Sequence, residues 1–198
     1  MTIHVFLDTE FTTLTELASL ISIGLITADG ERSFYAELSD TYTQEDCSDF
    51  VLQEVLPLLE ASPITESVNY KQVYARMTLT ETSLHLNYWF AALIDPVQVW
   101  SDAPNHDWRY IQQLFSITRL QVSPTNCYQT SYIQQQFSPT GLPYNLLATP
   151  NAILGEDTTA NARYQNTVER EYSKKILRRH HALDDAKAMR LGWLSIKN

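Results

Sequence analysis

The run "LISIGLITADG", residues 20–30, followed at once by "RSFYAEL", most narrows the folds open to this chain. Two β-favouring stretches separated by Asp29-Gly30 predict a hairpin, because a tight turn between strands needs positive φ and this dipeptide tolerates it. "IHVFL", residues 3–7, reads as a strand as well. The first three strands are therefore expected in sequence order and antiparallel.

Helical periodicity follows. Residues 43–60, "TQEDCSDFVLQEVLPLLE", place Phe50, Val51, Val55 and Leu58 or Leu59 on one stripe after an acidic first turn, predicting an amphipathic helix kinked at Pro57. Residues 79–94 read as a second helix entered through Thr80 and ended by Asp95-Pro96. Residues 97–102, "VQVWSD", read as a short apolar strand, and residues 105–115 as a third helix with Trp108, Ile111, Gln112 and Phe115 at helical spacing. The proline-rich stretch 123–150 reads as irregular connection, and a last helix is expected over 182–195. Strands first, then helices alternating with one further strand, point to an α/β or α+β domain of three layers built on a mixed sheet. A chain of 198 residues with 44% hydrophobic content suffices for one sizeable core, so a single domain over 1–198 is expected.

The first strand ends in acid. In "DTEF", Asp8 and Glu10 lie two apart, and in an extended chain both project from the same face. At an intermediate effective dielectric, like charges roughly 4 Å apart cost about 4 kcal/mol, so a counter-charge, a shared proton or a metal is required. Asp102 and Asp107 flank the start of the third helix. Near the C-terminus, "RRHHALDDA" sets His180 and Asp185 five apart at the opening of the last helix. Each of these features alone has an ordinary structural explanation, such as backbone capping or a macrodipole preference; their occurrence together in this order is what calls for chemistry.

Charge and cysteine usage narrow the class further. The formal net charge is −9, yet residues 1–100 carry 15 acidic and 3 basic side chains against 8 and 11 in residues 101–198. The segment 163–179, "RYQNTVEREYSKKILRR", is a local basic patch that suits either phosphate contacts or a helix face laced with ion pairs. Cys47 and Cys127 are far apart with no zinc spacing, so idle thiols are expected. No stretch approaches the roughly 20 apolar residues of a membrane span and no secretory pattern opens the chain, so a soluble cytoplasmic protein without membrane contact is expected.

With these motifs in view, the sequence resembles the DEDDh class of 3′-to-5′ exonucleases, which includes ribonuclease T, oligoribonuclease and the proofreading subunit of bacterial replicative polymerase. "DTEF" matches the first motif, Asp107 within "WSDAPNHDW" the second, and "HHALDDA" the third, written His-x-Ala-x-x-Asp-Ala. "LISIGLITADG" also looks like the second strand of small bacterial 3′-to-5′ exoribonucleases. The resemblance spans Ile3 to about Trp193, with only these short segments specific.

It implies a ribonuclease H-like three-layer α/β domain, flanked by helices, in which Asp8, Glu10, Asp107 and Asp185 hold two Mg²⁺ or Mn²⁺ ions and His180 is the general base. Hard, oxygen-seeking dications suit an all-carboxylate site without thiolate. The implied substrate is single-stranded nucleic acid, RNA favoured over DNA, with Phe11 positioned to stack on a base and Arg178 and Arg179 to meet phosphates. Relatives are often homodimers. Two departures matter. The Phe that many members place before the second-motif Asp is absent from Asn105-His106-Asp107, so Asp102 is a rival for that position. The doubled "HH" and "DD" also permit His181 with Asp184, although the alanine register favours His180 with Asp185 and leaves the other two a solvent or capping role. A DNA-directed exonuclease and a non-catalytic binding module are the competing readings.

Overall fold

The computed structural model describes residues 2–65, 68–95, 97–117, 144–145 and 158–197. Strands β1 (Ile3–Phe11), β2 (Leu20–Thr27) and β3 (Ser33–Leu38) form an antiparallel meander, with Gly30 at positive φ in the β2–β3 turn. The expected hairpin is present because Gly30 adopts the left-handed region without a Cβ penalty. Strand β4 (Gln72–Met77) adds in parallel to β3, and β5 (Val97–Ser101) in parallel to β1. A two-residue β6 (Tyr144–Asn145) extends the other edge, giving the order β4-β3-β2-β1-β5-β6.

Alternation along β1 sorts the two cores. Val5 and Leu7 face helices α1 (Leu79–Ala91) and α2 (Pro104–Ile117), whereas Phe6 faces α3 (Thr158–Ser173) and α4 (Ala182–Lys197). The protein is thus an α/β structure with a mixed sheet and helices on both sides. The parity carries past Leu7: Thr9 continues the α2 side, and Asp8 and Glu10 continue the α4 side.

Two glycines let helices approach closely. A Cβ on Gly24 of β2 would lie 2.3 Å from the Ala182 carbonyl carbon and the Leu183 nitrogen, so the first turn of α4 rests on bare sheet backbone. Gly24 is paired in register with Asp8, which puts that contact beside the acidic strand end. At Gly192 the same absence of a side chain admits the Tyr164 ring of α3, 2.7 Å from where a Cβ would be.

Several expectations need correction. Residues 43–60 do not form one helix: a 3₁₀ turn (Gln44–Asp46), a five-residue π-helical turn (Val51–Val55) and a second 3₁₀ turn (Leu56–Leu58) take its place. The Asp46 carboxylate accepts from the Thr43 N–H and hydroxyl, closing the first turn on itself, and Cys47 is extended immediately after. Pro57 then removes a backbone donor. Helix α1 starts at residue 79 as expected but is capped by Thr78, not Thr80, in a reciprocal box with Glu81, and it ends at Ala91. Strand β4 and helix α3 were not anticipated as elements, although Val73, Ala75 and Met77 alternate with exposed residues along β4. Residues 123–150 and Cys127 lie outside the described residues except for β6, and Cys47 is a free thiol. Among the described residues no helix is long and apolar enough to cross a membrane.

Candidate functional site

The carboxyl ends of β1 and β5 and the starts of α2 and α4 meet at a cleft of about 440 Å³. Asp8, Glu10, Asp102, Asp107, His180 and Asp185 all line it, though they span the chain from residue 8 to residue 185. Ligand atoms fall into two trios, each within 4.8 Å: Glu10, His180 and Asp185 in one, and Asp8, Asp102 and Asp107 in the other.

Strand alternation explains most of this. Asp8 and Glu10 point to the α4 side of β1 and meet Asp185 there. Thr9, between them, points to the α2 side, and its hydroxyl donates to Asp107 Oδ1 at 2.6 Å. Ser101 at the end of β5 donates to Asp107 Oδ2. Asp107 is therefore 1% exposed, with both carboxylate oxygens engaged. Asp102, one residue beyond β5, reaches the cleft beside Asp8.

Asp185 is fixed from two directions. Tyr172 of α3 donates its hydroxyl to Oδ1 at 2.5 Å, and the His180 backbone N–H donates to Oδ2 at 2.9 Å. The second bond depends on His180 adopting φ of +62°, an uncommon conformation for a non-glycine residue. Its imidazole lines the cleft, where the Phe50 ring meets it edge-on with centroids 4.8 Å apart.

The electrostatics are those of crowded acid. Burial, and then the charges of Asp185, Asp107 and Glu10, hold Asp8 well above the carboxylate range. Burial and the charges of Asp185 and Asp107 push Glu10 up to about 8. Burial also raises Asp107 and Asp185 to about 7 each, against the pull of the hydroxyls bonded to them. Asp102 is raised too, again by burial. Asp8 Oδ2 is enclosed and has no hydrogen-bond partner among the described residues. A buried, unsatisfied carboxylate oxygen is costly, and a hard dication is what this donor set would satisfy best. Burial lowers His180, which keeps its imidazole neutral at pH 7.

The register of the doubled residues comes out as the alanine pattern suggested, with His180 and Asp185 in the cleft. His181 and Asp184 do not take a solvent role: they are 2% and 3% exposed. His181 stacks on Tyr35 with centroids 4.4 Å apart, and Asp184 accepts from Arg178 Nε at 2.8 Å and Lys187 Nζ at 2.9 Å. Arg178 also bonds Glu60 at 2.6 Å, so it anchors the start of α4 and is not among the cleft-lining residues. Of the two arginines expected to meet phosphates, Arg179 lines the cleft. Arg179 lies over the Tyr172 ring at 4.3 Å and pairs with Glu169. Within the basic segment, Arg170 and Lys174 pair with Glu171, so much of the patch is an ion-paired helix face. Phe11 lines the cleft while stacking on His106 and Tyr110, at 5.6 and 5.9 Å.

Sequence reasoning did not single out Thr9, Ser101, Tyr172, Gly24 or Phe50. The alternation of "DTE" carried a signal for Thr9, since the residue between two same-face acids must face the other helix layer. Tyr172 carried none, because its partner is 13 residues away on another helix. Compared with known proteins, the chain matches no family model and no curated protein sequence.

Proposed function

We propose that this chain is a cytoplasmic, metal-dependent 3′-to-5′ exonuclease that hydrolyses single-stranded RNA in preference to DNA. One observation carries the reading: Asp8, Glu10, Asp107, Asp185 and His180, drawn from the start, middle and end of the chain, converge on one cleft in which a buried Asp8 oxygen has no partner among the described residues. The first three antiparallel strands, the parallel β5 and the helices on both faces support a ribonuclease H-like arrangement.

Asp8, Glu10, Asp107 and Asp185 would hold two Mg²⁺ or Mn²⁺ ions. Such ions, when bound, lower the pKa of an attacking water and offset charge on the leaving oxygen. The chain's own residues supply the rest. His180 is neutral and on a short connecting segment at the cleft, so it accepts the proton of the attacking water. Tyr172 and the His180 amide hold the Asp185 carboxylate in place. Phe50, 52% exposed, and Leu14, 83% exposed, line the cleft with Phe11 and offer apolar surface to terminal bases, which suits a sequence-indifferent enzyme. Arg179 is the cleft-side cation for the phosphate backbone.

The test is a 5′-labelled single strand incubated with the protein and Mg²⁺ or Mn²⁺, with EDTA as control. A ladder shortening from the 3′ end only with free metal is expected, and Asp8→Asn abolishes it while leaving the circular dichroism spectrum unchanged. An intact strand in every lane rejects catalysis and leaves a binding module if the strand is retained. Competition between matched RNA and DNA oligonucleotides decides the polymer, with faster loss of RNA expected.

A further inference from the structure

A fifth carboxylate stands in the cleft beyond the four that the nuclease reading uses. Asp102 follows β5 directly, and its carboxylate groups with those of Asp8 and Asp107 within 4.8 Å. The two second-motif candidates differ in how they are engaged. Both oxygens of Asp107 accept hydroxyl protons, from Thr9 at 2.6 Å and from Ser101, and the side chain is 1% exposed. Among the described residues, the hydrogen bonds to Asp102 come from backbone N–H groups, its own and that of Ala103. It does not serve as the helix cap either: at the start of α2, the His106 and Asp107 amides are taken by the Ala103 carbonyl.

The sheet makes the same distinction. Ser101 and Thr9, the ends of β5 and β1, both turn toward α2 and clasp Asp107 between them. Asp102 follows Ser101 and joins Asp8 on the cleft. Asp8 in turn presents an enclosed Oδ2 without a partner among the described residues.

We infer that Asp102 is a direct cation ligand beside Asp8, and that Asp107 is a positioning residue that ties the ends of β1 and β5 together beneath the site. The inference rests on the metal-dependent reading above, and it changes which acid of the second motif meets the ion. The excess of oxygen donors fits hard cations with six or more ligands.

Mn²⁺ titration of the full chain by calorimetry, with melting curves in EDTA and in Mn²⁺, tests this without reference to turnover. Asp102→Asn and Asp102→Ala weaken Mn²⁺ binding about tenfold or more, and Asp102→Asn melts no lower than wild type in EDTA, since its amide oxygen can keep the backbone N–H contacts of the carboxylate. Asp107→Asn lowers the EDTA midpoint, because the amide offers one acceptor oxygen where Thr9 and Ser101 use two. Glu31→Gln, a remote exposed neutralisation on the β2–β3 turn, leaves both readouts unchanged. Wild-type Mn²⁺ affinity in both Asp102 variants overturns the inference and leaves the nuclease reading standing. Both Asp102 variants melting below wild type in EDTA overturns it too, by making the side chain structural. A wild-type chain that binds no Mn²⁺ overturns the nuclease reading and this inference with it.

Discussion

Replacing Gly24 by alanine probes how the fold holds the acidic cluster together. An added Cβ would lie 2.3 Å from two backbone atoms of α4 and 2.5 Å from the Ala182 oxygen, where ordinary contact begins at 3.4 Å. The obstruction is backbone, so no side-chain rotation relieves it, and the start of α4 must retreat by roughly 1 Å. Ala182 is fully buried and Leu183 4% exposed, so the retreat opens packed surface. Overpacking of this kind costs about 1–3 kcal/mol. For a chain of this size each kcal/mol lowers the melting midpoint by about 2–4 °C, so a fall of several degrees is expected. Gly24 lies opposite Asp8 in the β1–β2 register, and Asp185 rides on the displaced turn. The gap between those carboxylates therefore widens by a similar amount. A misplacement of about 1 Å at a reacting centre costs on the order of a hundredfold in rate. Thermal unfolding monitored by circular dichroism gives the first quantity, and single-turnover cleavage well below the midpoint gives the second. A Gly24→Ala protein that melts within a degree of wild type and cuts at its rate would refute the claim that bare β2 backbone sets the position of Asp185.

Saturating Mn²⁺ raises the wild-type unfolding free energy by mass action, about 2.7 kcal/mol at a hundred times the dissociation constant, and Asp185→Asn blunts the gain in the same melting assay. His181, whose folded pKa is lowered by burial to about 4 from 6.5, refuses a proton that the unfolded chain accepts, so stability falls as pH drops from 6.5 toward 4. Urea titrations should give wild type a slope steeper than His181→Phe by up to about 1.4 kcal/mol per pH unit in that window, and equal slopes would count against it. In EDTA the acidic cluster acts in the opposite sense: Glu10, raised from 4.5 to about 8, holds a proton when folded that the unfolded chain has released, so stability is lost as pH rises from about 4.5 to 8, and saturating Mg²⁺ offsets that loss. Arg178→Ala removes one of the two cationic partners of Asp184 and leaves Lys187, costing about 1 kcal/mol of stability, whereas Arg179→Ala leaves the midpoint near wild type and weakens single-strand affinity, both readable in one series of melts and filter-binding assays.

What local chemistry controls was readable from the chain alone. Asp29-Gly30 dictated a turn, the apolar runs beside it dictated paired strands, and the two-residue spacing in "DTE" put Asp8 and Glu10 on one face whatever the rest of the molecule did. The choice of His180 and Asp185 over His181 and Asp184 came from the resemblance of "HHALDDA" to a known motif and not from periodicity. The segment 43–60 defeated the local logic because a capping box and Pro57 broke a helix that its apolar stripe favoured. Only the tertiary structure decided which acids meet. Asp107 is clasped by Thr9 and Ser101, Asp102 joins Asp8 on the cleft, Arg178 is committed to Asp184 and Glu60, and Tyr172 reaches Asp185 from a different helix. Those partners lie up to 118 residues apart, and no periodicity reports on such distances. They are selected by the parity of two adjacent strand ends and by a glycine that admits α4 onto the sheet, geometry that exists only once the layers have packed.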